Sequence, residues 1–502
     1  MKNEHFLIKS LEKKEKEKVK KYLNCFSDNK REDKKSLRLF KQLDKAETYI
    51  SPSAVVRKIY KEEGADAFEK LLQRLTAKIF EGAMICLPQN NTGRPDERIL
   101  MLLKARQLLN QFNYFYETKG ALDVLPRLLD KIISLCKKYE LYSTLVEALR
   151  WKKRCYAATQ GEKQWSIVQK EISFYKQCLD AVETAHDYLN RLQFMGEDKG
   201  QKNSTEILTL LATAIPELKT KQAQTDSALA GYFIYYLRYE REIILNNYQA
   251  ARSIILDLLS YIKKHKCLNS AQRAGIAFNY LEVCEMKMGR FDEALDHARN
   301  AFNYIPKDSF NHIIATEWEF YALFFSKRFI EAIACAEKIT SPSVRKETGE
   351  FRFNKFMFLL ANALFKTGRH KRAEDILSQK FELKNDKEGW EFNWRVLQIM
   401  IYIELEKQDK ASEQIKALYM FMYDNKTNHY FSPRQKMIAS LLSLAEKQGF
   451  DYSLIHKKAY SLLSNLENGD KDYGWQILSS ELIPVHVWAK EKMEKRVKVL
   501  VR

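Results

Sequence analysis

Glycine and proline are scarce in this chain, 16 and 9 of 502 residues. An all-β protein needs turn formers between many short strands, so this scarcity excludes one. Intrinsic disorder is excluded from the other side, because 45% of the residues are hydrophobic and a chain that apolar collapses. The expectation is an ordered, almost wholly helical protein. Long hydrophobic runs are also missing: stretches such as Phe356 to Leu360 fall far short of a membrane span. The residues after Met1 pass through Phe6, Leu7 and Ile8 directly into charge, without the apolar core of a secretion signal.

The chemistry of sites is equally thin. The eight cysteines, Cys25, Cys86, Cys136, Cys155, Cys178, Cys267, Cys284 and Cys335, never lie closer than 17 residues, so no Cys-x-x-Cys pair seeds a zinc or redox centre. Most sit in apolar helical patterns, and reduced thiols in the cytoplasm are expected. The nine histidines never come closer than 15 residues, and no His-Glu-x-x-His or Gly-x-Ser-x-Gly is present. Gly196 and Gly200 stand one residue too close for a phosphate loop. No metal, cofactor or catalytic group is expected.

Charge is abundant and lopsided, +19 overall. Lysines outnumber arginines 58 to 26, and arginine is the residue suited to bidentate phosphate and base contacts, so the excess reads as solvated helix faces. The first 80 residues hold 21 Lys/Arg against 13 Asp/Glu. There Leu7, Leu11, Val19, Tyr22 and Leu23 predict one amphipathic helix over 6–24. Ser51-Pro52 starts a helix through Tyr60, Gly64 breaks it, and Phe68, Leu71, Leu72, Leu75 and Ile79 carry the next. A basic N-terminal helical domain over 1–90, ended by the turn formers Gln89 to Pro95, could be a nucleic-acid-contacting helix-turn-helix, although such pairs are more often packed hairpins. Divergent helical hairpins follow over 91–195, with Leu125-Pro126 near a helix start and a long helix from Trp165 to Phe194. A polar loop, Gly196 to Ser204, then leads to 205–502.

The region 205–502 is organised on Gly275 to Pro306. Phe278 and Leu281 precede Met288-Gly289-Arg290-Phe291, then come Ala294, Ala298, Ala301 and Pro306. This stretch resembles a tetratricopeptide repeat, in which a turn glycine ends the first helix, an aromatic follows two residues later, small residues line the crossing and a proline closes the unit. The resemblance implies an all-α, right-handed superhelical solenoid with capping helices. Positions equivalent to Phe291 recur at Tyr248, Phe329, His370 and Lys410, and the resemblance covers about 232–420.

In that family the first helices line a concave groove, and the residues ten and six before the turn point into it. They map to Tyr236 and Glu240, Asn279 and Val283, Glu317 and Tyr321, Phe358 and Asn362, and Gln398 and Tyr402. An aromatic surface with amides and acids suits an extended peptide or an amphipathic helix. Phe358 stands where carboxylate-clamping members carry lysine, which argues against that partner class. The stripe Tyr232, Tyr235, Tyr236 and Tyr239 has the spacing of one helix face and is assigned to packing between repeats. Arg290 and His297 match the Arg-x4-6-His spacing of some helical ribonucleases, but Phe291 replaces a usual polar residue and both lie in the best repeat. The sequence thus points to a non-catalytic scaffold or adaptor binding a protein or peptide, not a membrane. A regulator that touches nucleic acid through its N-terminal helices is the alternative.

Overall fold

The computed structural model describes residues 2–11, 13–25, 31–46, 55, 59, 65–85, 96–119, 125–197, 203–305, 307, 309–378, 389–424, 431–468 and 473–500. Helix is the only regular structure among them, and no helix is long and apolar enough to cross a membrane. The protein is all-α. Two compact units divide it, Met1–Ile132 and Ile133–Arg502.

In the first unit α1 (Lys2–Ser10), α2 (Lys13–Cys25), α3 (Arg31–Lys45), α4 (Ala65–Ile85) and α5 (Glu97–Lys119) follow in order. α2, α3 and α4 pack on one another, and α1 packs on α3. Ile8, Val19, Leu23, Phe40, Leu71, Leu75 and Ile79 are the buried residues that drive this. The single helix expected over 6–24 is two: the ladder stops at Leu11, whose N–H turns back to the Ile8 carbonyl at 3.3 Å. The break lets Ile8 and Val19 enter the same core cluster. Asp44 engages Lys20 at 3.0 Å and Lys16 at 3.2 Å, so part of the lysine run is held by the unit's own acid. The expected helix from Ser51 to Tyr60, the break at Gly64 and the boundary Gln89 to Pro95 lie on or mostly on residues outside those described, as do Gly200 and Pro306.

α6 (Leu125–Lys138) crosses the division and leads to α7 (Tyr142–Thr159), α8 (Gly161–Glu197) and α9 (Asn203–Thr225). Five hairpins come next: α10 (Ala228–Ile244) with α11 (Tyr248–Lys264), α12 (Ala271–Lys287) with α13 (Phe291–Phe302), α14 (Phe310–Phe325) with α15 (Phe329–Ile339), α16 (Pro342–Lys366) with α17 (His370–Leu377), and α18 (Trp390–Glu404) with α19 (Gln408–Asp424). α20 (Pro433–Lys447), α21 (Tyr452–Asn468) and α22 (Val485–Leu500) complete the chain. From α7 onward each helix packs on its successor, and α12, α14, α16 and α18 also meet each other in succession. First helix against next first helix is the stacking of an α-solenoid.

One turn geometry joins every hairpin. Asn246, Gly289, Lys327, Gly368 and Glu406 have φ of 58°, 75°, 63°, 73° and 56°, and the N–H of the following residue returns to a first-helix carbonyl, as Arg290 does to Glu285 at 2.8 Å. This is the Schellman closure, which a left-handed residue permits. Only two of the five are glycine; the others accept the left-handed strain because the returning hydrogen bond holds the turn. Five residues after each turn residue stands an alanine, Ala251, Ala294, Ala332, Ala373 and Ala411, and all five are fully buried at the crossing. The hairpins are therefore tetratricopeptide-like. The fifth copy corrects the sequence register: its turn is Glu406, so Gln408 and not Lys410 occupies the Phe291 position.

Serine caps repeat as well, with Ser227, Ser270, Ser309 and Ser432 each accepting from the N–H three residues on. Ala294→Leu should destabilise the protein by about 1–3 kcal/mol through overpacking, whereas Lys13→Ala on an exposed face should stay within about 0.5 kcal/mol of wild type. Equal urea midpoints for the two variants would contradict the assigned crossing.

Candidate functional site

The sequence-selected residues lie on the first helices, but most of their side chains already have partners. Tyr236 and Tyr239 of α10 pack against Tyr280 of α12, with centroids 5.7 and 4.6 Å away, so the tyrosine stripe joins neighbouring hairpins. Glu240, Asn279, Val283 and Gln398 are half-buried, and Gln398 reaches the Tyr402 hydroxyl at 3.4 Å. Glu317 is buried and holds Lys355 of the next first helix at 2.6 Å. The Lys355 ammonium in turn lies 4.6 Å from the Trp390 ring centroid. Tyr321 stacks on Phe325, Phe358 packs against Trp390 and Trp394, and the Asn362 amide donates to the Phe358 carbonyl.

Tyr321, Phe358 and Tyr402 retain only 4%, 2% and 7% exposure. These rings, expected to line an open groove, are covered. The corrected register moves the fifth pair of positions from Gln398 and Tyr402 to Val396 and Met400. These two line a small cavity with Phe358, Asn362 and the stretch from Ser480 to Ile483.

That stretch belongs to a non-helical loop, 473–484, laid on the first-helix face. Its neck is fastened by Arg434 of α20, itself buried. The guanidinium donates from Nη2 at 2.9 Å and from Nε at 2.5 Å to the Glu481 carboxylate, and from Nη1 to the carbonyls of Leu466 and Tyr473. Ser480 Oγ accepts from the Asn393 amide of α18 at 2.9 Å. Farther out, Lys287 Nζ donates to the Ile477 carbonyl at 2.8 Å and the Trp475 ring meets Phe325 at 6.1 Å. Lys287 and Phe325 each stand two residues before a turn residue. Glu404, at the same place in the fifth hairpin, accepts from Trp488 Nε1 of α22 at 2.7 Å. The face thus holds non-helical polypeptide through rings, amides and main-chain carbonyls.

The sequence reading missed Lys287 and Phe325, whose one signal is a register position two residues before a turn residue. Arg434 had no local signal, because its partners are 32–52 residues away.

Two buried carboxylates belong to the second hairpin's core. Glu285 of α12 is gripped by Arg252 and approached by Arg290 at 3.5 Å and His297 at 3.8 Å. The pair with nuclease-like spacing is therefore turned toward an acid of its own hairpin. Glu282 is fully buried, and neither of its carboxyl oxygens has a hydrogen-bond partner among the described residues. Burial, followed by the nearby Glu319, pushes its carboxyl well above the usual carboxylate range. Below that usual range folded and unfolded chains both keep the proton and no pH-dependent penalty arises. As pH rises through it, the unfolded chain releases a proton that the folded one retains, and stability falls. Glu282→Met should therefore stabilise the protein at pH 7, by about 1–3 kcal/mol for removing an unsatisfied buried polar group. The gain should shrink as pH approaches about 4; a gain independent of pH in urea titrations would refute the assignment.

No family model matches the sequence, and neither does any curated protein. Among solved structures, the chain is similar to a signal transduction ATPase with numerous domains from Pyrococcus horikoshii that carries a tetratricopeptide repeat sensor. The identity is 12% and the TM-score 0.39, over 83% of this chain and 64% of that one. This chain thus spans less than two thirds of that protein's length. The hairpin geometry, not this likeness, makes the fold tetratricopeptide-like.

Proposed function

We propose that the protein is a non-catalytic scaffold or adaptor whose stacked first helices bind a partner through an extended polypeptide segment. The observation that carries this reading is the loop 473–484. Four successive hairpins, the second to the fifth, carry Lys287, Phe325, Phe358, Asn362 and Asn393 on their first helices, and that face already holds a non-helical stretch by a carbonyl, a ring and an amide. Main-chain contacts combined with alternate side-chain pockets are how a groove recognises an extended peptide. The nucleic-acid alternative rests on the basic charge of the N-terminal unit, where Asp44 already engages two of the lysines.

The test is capture of proteins from the native cell by the tagged full chain, read by mass spectrometry. Lys287→Ala with Phe325→Ala should reduce specific capture at least about tenfold, equivalent to 1.4 kcal/mol, while helical content is retained. Capture indifferent to both residues in a folded chain would contradict the proposal.

A further inference from the structure

The loop is gripped unevenly along its length. Its neck, Ser480 to Ile483, is buried, with at most 8% exposure, whereas Tyr473 and Gln476 are exposed and Gly474, Trp475 and Ile477 to Ser479 are half-buried. The tip is held to the repeats by the contact of Trp475 with Phe325 and by the hydrogen bond from Lys287 to the Ile477 carbonyl. Trp475 also donates from Nε1 to the Glu481 carbonyl at 2.8 Å, so the tip folds back on its own neck.

Lys287 is the weak point of this fit. It is half-buried and meets a neutral carbonyl, with no carboxylate within ion-pair distance among the described residues. Burial pushes its ammonium below the usual lysine range. A charged acceptor there would form a shorter and stronger bond than the carbonyl does. The whole chain, at +19, also steers anionic segments toward it.

We propose that residues 473–479 are a resident occupant of the peptide-binding face, displaced by an extended acidic segment of a partner that sets an aromatic ring on Phe325 and a carboxylate on Lys287. This rests on the peptide-binding reading above and adds the partner's chemistry and the way access is controlled. The neck stays in place during the exchange, because the ion pair of Arg434 with Glu481 and the hydrogen bond of Arg434 to the Leu466 carbonyl lie outside the displaced tip. The exchange gives up the two tip contacts, the Trp475 turn, the hydrogen bond from Arg434 to the Tyr473 carbonyl and the packing of Leu478 on the core. The device makes the face selective: a neutral segment gains nothing over the loop it must replace, whereas an acidic one gains the ion pair.

The experiment uses the full chain and a fluorescein-labelled synthetic peptide with the sequence of residues 473–480 carrying Ile477→Glu. Trp475→Ala in the protein loosens the tip and leaves the neck intact. The peptide should bind this variant at least about tenfold more tightly than wild type, and adding Lys287→Ala or Phe325→Ala should abolish the gain. On the wild-type chain, saturating peptide should accelerate amide hydrogen exchange over 473–479 and leave 481–483 slow; this arm decides the matter should Trp475→Ala fold poorly. If the peptide binds both proteins alike and exchange of the tip is unchanged, the occupant proposal falls and the peptide-binding reading stands. If the peptide binds neither folded protein, both fall.

Discussion

Arg434→Ala should be among the most damaging single substitutions in the chain, costing about 3–5 kcal/mol, because it leaves the Glu481 carboxylate buried without its counter-charge. Arg434 and Glu481 retain 8% and 7% exposure, and one guanidinium also satisfies the carbonyls of Leu466 and Tyr473. Replacing both partners, Arg434→Met with Glu481→Leu, should recover much of the loss, since an apolar pair carries no desolvation cost. A loss below about 1 kcal/mol for Arg434→Ala in urea unfolding would contradict the neck as described.

The same cluster sets an acid limit. His486 Nδ1 accepts from Arg434 at 3.2 Å, and burial together with that guanidinium pushes the imidazole down to about 4. An unfolded histidine takes up its proton near 6.5. Stability from this site is therefore intact above that pH and declines as pH falls from about 6.5 to 4, by up to about 3 kcal/mol. His486→Gln should flatten that part of the profile.

Phe358→Ala is expected to rank beside Arg434→Ala, at about 3–5 kcal/mol, because the ring is 2% exposed and truncation leaves a cavity the neighbouring helices cannot fill. The open groove expected from the sequence implies instead that Tyr321→Ala with Phe358→Ala spares the helices and weakens partner capture at least about tenfold. Both rings are packed, Phe358 against Trp390 and Trp394 and Tyr321 against Phe325. The double variant is now expected to melt early. Thermal unfolding followed by circular dichroism distinguishes the two outcomes.

The helical class and the repeat were legible because their signals are local. Gly289 and Gly368 announce their turns, and serines precede several first helices. Lys327 and Glu406 hide theirs, since the left-handed conformation is enforced there by the returning hydrogen bond and not by glycine. The fifth register slipped by two residues for that reason, although Ala411, in the place of Ala294, would have fixed it. The residues chosen for the groove were located by analogy of position, which gives a helix face but not what covers it. The loop 473–484 reaches α12, α14 and α18 across contacts of up to 190 residues, and no periodicity records such a contact. Lys287 looks like an ordinary last-turn lysine until Ile477 is seen against it.

The central claim is that the first-helix face holds non-helical polypeptide, and a photo-crosslinker in place of Phe325 tests it most directly. With benzoylphenylalanine at that position, irradiation of the isolated full chain should yield an intramolecular product mapped by mass spectrometry to residues 473–479. Added acidic peptide should reduce that product and become cross-linked in its place. Cross-links confined to neighbouring helices, and insensitive to the peptide, would contradict the account.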